Sequence, residues 1–203
     1  MDEPILDVRN LVKHFSTGRG LSFKKDTSVV KAVDGVSFSL WPGETLGLVG
    51  ESGCGKSTGA RTLLRLEEPT AGSAFFRGQD VFAASPRELK EVRRRLQVIF
   101  QDPYASLNPR MTVADIISEP WVIHPDVVPR AEQGERVRSL LESVGLRREH
   151  AERYPHEFSG GQRQRIGIAP AIALDLEVLI CDEPISALDV SVQAQVINLL
   201  MEI

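Results

Sequence analysis

The segment Gly50-Glu51-Ser52-Gly53-Cys54-Gly55-Lys56-Ser57 constrains this chain more than any other. It follows an apolar run at 45–49, read as a short strand, and precedes 56–66, read as a helix. Glycines in such a loop let backbone N–H groups turn inward and approach phosphate oxygens. The helix N-terminus behind them adds partial positive charge. Lys56 is placed to reach β and γ phosphates, Ser57 to offer its hydroxyl to Mg²⁺, and Thr58 to add a phosphate contact. Gly50, Glu51, Ser52, Gly53, Cys54, Gly55, Lys56, Ser57 and Thr58 are therefore the expected nucleotide-holding residues.

A second apolar strand, 176–181, ends in Asp182-Glu183. Beside a phosphate loop, Asp182 would lie near the Mg²⁺, usually through water. Glu183 would point toward the γ-phosphate and polarise the attacking water as general base. Gln101 closes the expected strand 96–101, where its amide could touch Mg²⁺ or that water, or lie at the surface.

Composition narrows the class. Of 203 residues, 42% are hydrophobic and 26% charged, as in a soluble globular domain. The net charge of −4 shows no basic surplus of the kind a nucleic-acid binder carries. No apolar run approaches the ~20 residues that span a bilayer. The acidic start Met1-Asp2-Glu3-Pro4 is no signal peptide, so any membrane role would come through partner chains. Cys54 and Cys181 form no metal spacing or disulfide framework, which fits a reducing cytoplasm.

Residues 5–8 and 11–15 look strand-like, 16–28 loop-like, and 29–33 with 36–40 like a hairpin turning at Asp34-Gly35. Trp41-Pro42-Gly43-Glu44 reads as a turn. Ser85-Pro86-Arg87-Glu88 reads as a capping box opening a helix to about 95. Helices are expected over 112–118, over 130–144 with Gly145 as C-cap, and over 163–174. Val192, Val196, Leu199, Leu200 and Ile203 have helical spacing with no stop signal, so the chain is expected to be cut short inside a helix.

Phe158-Ser159-Gly160-Gly161-Gln162 resembles the signature motif of ABC ATPases, and Ser186-Ala187-Leu188-Asp189 resembles their D-loop. The order of phosphate loop, Gln101, signature, Asp182-Glu183 and D-loop fits that family along the whole chain. The finer wording at 49–57, 100–109 and 189–195 is similar to ATPase subunits of dipeptide, oligopeptide and nickel importers.

The resemblance implies an α/β P-loop NTPase fold of ABC type: a mixed sheet core, an N-terminal antiparallel β region and an α-helical subdomain. It implies one domain divided as 1–101 (β region and phosphate-loop core), 102–165 (helical part with the signature) and 166–203. It implies ATP and Mg²⁺, with Ser57, Gln101 and Asp182 on the metal, and Glu183 and Gln101 catalytic. Two such domains would pair head to tail, so that Ser159, Gly160, Gly161 and Gln162 meet the ATP held by the other copy. Phe15 aligns with the aromatic residue that stacks on adenine; otherwise it is a core residue at a strand end. The implied partners are transmembrane permease subunits, an identical or sister ATPase subunit and, indirectly, a solute-binding protein, at the cytoplasmic face of the inner membrane. No nucleic-acid partner is expected.

Three departures stand out. The family's switch histidine follows the D-loop helix, whereas His14, His124, His150 and His156 all precede the signature. In related ATPases the strand that follows lies between those carrying Lys56 and Asp182. The 203-residue piece alone is therefore expected to be poorly stable and nearly inactive. Pro170 replaces the usual Arg and should kink a continuous helix at a cost of ~3 kcal/mol. Ile185 replaces the usual Thr and should matter little. Competing readings are a truncated non-catalytic fragment and a soluble ABC ATPase acting on ribosomes or DNA.

Overall fold

The computed structural model describes residues 3–16, 28–100, 107–185 and 190–202. The chain divides into two compact units, Met1–Arg93 and Arg94–Ile203.

The first unit is built on an antiparallel sheet of order β2-β1-β3-β4: β1 (Leu6–Ser16), β2 (Val29–Leu40), β3 (Ala71–Phe76) and β4 (Gln79–Asp80). The expected hairpin at Asp34-Gly35 is instead a single strand running past both residues. Leu11 pairs with Val36 and Val12 with Asp34, so Gly35 is an extra residue opposite no partner. At φ +78° it forms a β-bulge, a conformation that glycine takes without a Cβ penalty. The turn signal was real, and the sheet absorbed it because β1 pairs with both halves of β2. A second extra residue follows: Lys13 pairs with Val33 and His14 with Lys31, leaving Ala32 bulged. The Arg77-Gly78 turn between β3 and β4 went unread in the sequence; both residues take positive φ, as a two-residue hairpin requires.

Residues 41–44 form the expected turn, with Glu44 N–H donating to the Trp41 carbonyl at 3.1 Å and the Glu44 carboxylate accepting from Trp41 N–H at 2.9 Å. Residues 45–49 are not a strand. Their apolar pattern asks for one, but a strand forms only where neighbours take up its N–H and C=O groups. Among the described residues none pairs with them, and Leu48 and Val49 are 55% and 100% exposed. Helix α1 (Lys56–Leu63) stops three residues before the expected end, where Arg65 turns to φ +49°. The Arg93 guanidinium donates to the carbonyls of Leu64 and Arg65, both at 2.9 Å, and so takes up acceptors past that helix end. Helix α2 (Pro86–Arg95) opens on the expected capping box: Ser85 N–H donates to the Glu88 carboxylate at 2.8 Å.

In the second unit, β5 (Leu96–Ile99) and β6 (Val178–Cys181) pair in parallel, Leu96 with Val178 through Ile99 with Cys181. The crossover carries α3 (Val113–Ile123), α4 (Gln133–Ser143) and α5 (Gly160–Ile168); α6 (Val190–Glu202) follows β6. Thr112 and Asp115 close a capping box on α3. At the end of α4, Leu146 N–H reaches the Leu141 carbonyl at 2.8 Å and Gly145 N–H the Glu142 carbonyl at 2.9 Å, a Schellman ending at the expected glycine. Helix α3 runs through Pro120, beyond the expected 112–118. Trp121 explains the extension: it is 1% exposed and its indole N–H donates to the Ala173 carbonyl at 3.0 Å, so burial outweighs the proline's cost. No helix among the described residues is long and apolar enough to cross a membrane.

The expected helix 163–174 with a kink is corrected. Helix α5 starts earlier, at Gly160, and ends at Ile168, two residues before Pro170. Tighter turns follow, with Ala171 N–H on the Ile168 carbonyl at 3.0 Å and Ala173 N–H on the Pro170 carbonyl at 3.2 Å. Termination removes most of the cost of a mid-helix proline. A residual strain stays at Ala169, whose φ −56°, ψ −41° is the helical geometry that a following proline disfavours. Ile185 lies partly buried against the core of this unit, a position that suits a β-branched apolar side chain. Relieving Ala169 by Pro170→Arg is expected to stabilise the protein by about 1 kcal/mol, which corresponds to a rise of about 2–4 °C in melting midpoint. Differential scanning calorimetry checks it, and an unchanged or lower midpoint counts against the strain.

Candidate functional site

The phosphate loop lies wholly in the first unit. Gly55 caps α1 in the left-handed region, at φ +100°. A Cβ built on it would overlap the Ala32 carbonyl oxygen, come within 3.0 Å of the carbonyl carbon and 3.6 Å of a Val33 methyl. Both the dihedral and the close approach demand glycine. The bulge at Ala32 and the start of α1 therefore meet backbone to backbone. Within the loop, Cys54 N–H donates to the Glu51 carbonyl at 3.2 Å. The Lys56 ammonium sits over the loop, donating to the carbonyls of Gly50 at 2.8 Å and Glu51 at 3.0 Å, with the Cys54 sulfur 4.0 Å away. Residues 50–54 are exposed, while Lys56, Ser57 and Thr58 are half-buried at the helix start. Thr58 presents its carbonyl to the Thr62 hydroxyl at 2.7 Å, so α1 begins in a firmly bonded turn.

A triphosphate fits this arrangement. The loop offers successive backbone N–H groups at a helix N-terminus, one ammonium held over them, and two hydroxyl-bearing residues behind. Within this unit, Ser57 offers a hydroxyl oxygen of the kind a magnesium ion favours. Phe15 stands at the end of β1 beside Val30, 36% exposed. The Lys13 ammonium lies 4.6 Å from the centre of its ring. Lys13 was not singled out in the sequence, although the alternation of Lys13-His14-Phe15 on a strand puts the two on one face.

The acidic pair and the signature belong to the second unit. Asp182 follows β6, is 7% exposed, and its N–H donates to the Ile99 carbonyl at 2.9 Å. Glu183 follows at φ +49° and is exposed. Two consecutive carboxylates at a strand end thus part company, one inward and one toward solvent. A non-glycine residue in that region costs about 1–3 kcal/mol, strain that collects at functional sites.

Ser159 is the N-cap of α5. Its N–H donates to the Gln162 side-chain oxygen at 3.1 Å, and its hydroxyl accepts from Gln162 N–H at 3.4 Å. Ser159-Gly160-Gly161-Gln162 is therefore a capping box, a pattern legible in the sequence and missed there. Phe158, 5% exposed, anchors the start of the box in the core. Arg163 ties it to the preceding turn through the carbonyls of Pro155 at 2.8 Å and His156 at 3.3 Å. His150 meets Phe158 edge-on, with ring centres 5.1 Å apart. Burial first, then the Arg153 charge, pushes the His150 pKa below its ordinary value, consistent with its ring nitrogen accepting from Arg147 N–H at 3.3 Å. His156 is exposed. Gln101 and the D-loop residues Ser186–Asp189 of the sequence reading lie outside the described residues.

Comparison with known proteins agrees with the geometry. The family model described as "ABC transporter" matches residues 33–186. The oligopeptide transport ATP-binding protein OppF of Bacillus subtilis is 58% identical over 204 residues, which are 100% of this chain and 64% of OppF. AppF, also named for oligopeptide transport, from the same organism, is 57% identical over 99% of this chain and 61% of its own length. The glutathione import ATP-binding protein GsiA of Escherichia coli K12 is 57% identical over 99% of this chain and 32% of GsiA. The chain thus spans less than two thirds of the length of these relatives. Among solved structures, the dimeric bacterial ABC transporter cassette MJ0796 superposes with a TM-score of 0.82 at 26% identity, covering 96% of this chain and 81% of that one. A post-hydrolysis state of the same cassette, bound to ADP and Pi, gives 0.81 at the same identity and coverage.

The seat of Gly55 makes a sharp test. Gly53 also has positive φ, but a Cβ there meets nothing within 4 Å. Gly53→Ala should cost about 1–2 kcal/mol, the backbone penalty alone. Gly55→Ala should cost at least ~1 kcal/mol more and abolish nucleotide binding. Urea unfolding with nucleotide titration checks both, and equal losses in the two variants would contradict the rigid seat.

Proposed function

This chain belongs to the ABC transporter family, and from that premise we propose that it is the ATP-binding and ATP-hydrolysing part of an importer subunit, acting on oligopeptides or dipeptides. The observation that carries the proposal is the loop at 50–57, a glycine cradle with Lys56 held over its carbonyls at the mouth of α1. Relatives of 57–58% identity named for oligopeptide transport and glutathione import support the transport role. The transported solute would be chosen by partner chains.

Phosphate oxygens entering the loop take over Lys56 from the carbonyls of Gly50 and Glu51, and accept from backbone N–H groups at the start of α1. Phe15 stacks on the adenine. Ser57, Asp182 and Gln101 are the residues to hold Mg²⁺, which when bound neutralises charge on the β and γ phosphates. Glu183 accepts a proton from the attacking water, and Gln101 orients that water. Ser159, Gly160, Gly161 and Gln162 serve the ATP of a second copy, identical or sister, in a head-to-tail pair. The capping box suits this task, because its helix N-terminus is fixed before any phosphate arrives. The pair works peripherally, on the cytoplasmic face of the inner membrane, against two permease subunits fed by a solute-binding protein.

The experiment is Glu183→Gln in the complete gene product, reconstituted with its membrane partners. MgATP should still bind, while turnover and import of radiolabelled peptide fall about 10²–10⁴-fold, the usual contribution of a general base. Wild-type turnover in the variant would remove Glu183 from its role, and import without ATP consumption would remove the proposed function.

A further inference from the structure

Lys13 and Phe15 stand two residues apart on β1 and share a face of the strand. The Lys13 ammonium lies 4.6 Å from the Phe15 ring centre, within the range of cation–π attraction. The same ammonium donates to the Glu68 carbonyl at 2.9 Å and pairs with the Glu67 carboxylate at 3.4 Å. Its side chain is only 12% exposed, so this is no loosely solvated surface lysine. Glu67 and Glu68 lie just beyond α1, and the N–H groups of Leu66 and Glu67 fold back onto the Arg61 carbonyl at 2.9 and 3.3 Å. One lysine thus joins the aromatic ring to the far end of the helix that begins at the phosphate loop.

A nucleotide is gripped at two ends, base and phosphates, and both grips contribute only if their spacing is set in advance. We propose that Lys13 is a positioning residue for the base. It fixes the Phe15 ring from one face, leaves the other face for the purine, and through Glu67 and Glu68 sets that platform at a defined distance from residues 50–57. A cation beneath the ring also draws its π density away from the free face, which favours stacking on an electron-rich base. The proposal rests on the reading of Phe15 as the adenine platform.

The test is equilibrium binding of MgATP and of magnesium tripolyphosphate, which lacks base and ribose, to the complete gene product. Four proteins are compared: wild type, Lys13→Met, Lys13→Arg and Phe15→Ala. Lys13→Met keeps the stem and removes the charge. It should weaken MgATP about two- to thirty-fold, the span from an exposed to a desolvated cation–π contact, and leave tripolyphosphate unchanged. Unchanged tripolyphosphate binding also reports a folded loop. Lys13→Arg should restore MgATP affinity, because a guanidinium stacks on aromatic faces too. Full MgATP affinity in Lys13→Met, beside a loss in Phe15→Ala, overturns the role of Lys13 and leaves that of Phe15. Full affinity in Phe15→Ala overturns the platform reading and this proposal with it. Equal losses for both ligands in Lys13→Met make Lys13 a structural tie and also overturn the proposal.

Discussion

The contact between Gly55 and the Ala32 carbonyl is the point on which the first unit turns. A loop this exposed has few bonds of its own, so something outside it must fix its path. Here that support is a strand with two extra residues. The bulge at Gly35 lets β2 stay paired along β1, and the bulge at Ala32 lies where the loop enters its helix. Backbone packs on backbone with no side chain between, which leaves little room for adjustment. From that seat α1 runs to Leu63, and Arg93 holds the carbonyls just past its end. The same β1 that pairs with the bulged strand carries Lys13 and Phe15. Lys13, Phe15, the phosphate loop and its helix are therefore one set of linked constraints.

The second unit solves a similar problem by burial. Trp121, Ile166 and Ile168 belong to one apolar core, and Phe158 sits in it directly before the capping box. The helix start at Ser159–Gln162 is held from both sides, by its own capping bonds and by Arg163 on the preceding turn. Parallel pairing of β5 with β6 brings the chain to Asp182, whose N–H continues the ladder onto Ile99. Glu183 then breaks away at positive φ. The ladder's end buries one carboxylate and turns the next one out, which suits a pair with separate tasks.

Much of this was legible in the residues, and the failures have physical causes. The phosphate loop, the capping box at Ser85 and the Gly145 ending depend on short-range chemistry, which a sequence displays directly. Residues 45–49 failed because a strand is a property of its neighbours as well as of its own pattern. Asp34-Gly35 misled because a glycine at positive φ serves a bulge as well as a hairpin. Pro170 reads as the kink of a continuous helix, but the helix ends before it and the kink does not arise. Pro120 worked the other way, since the buried indole of Trp121 carries α3 through a residue that local rules would make its end. Within the site, Ser159 and Gln162 belong to the signature motif and to a capping box at once, and the first pattern masks the second. Lys13 escaped notice because its partners Glu67 and Glu68 lie more than fifty residues away.

The central claim is that residues 50–57 form a preorganised anion cradle whose one essential cation is Lys56. Isothermal titration of MgATP into the complete gene product and its Lys56→Ala variant tests it most directly. The account predicts saturable binding at one site per chain in the wild type and none at matching concentrations in a folded variant. Equal binding by both proteins, or none by the wild type, would contradict it.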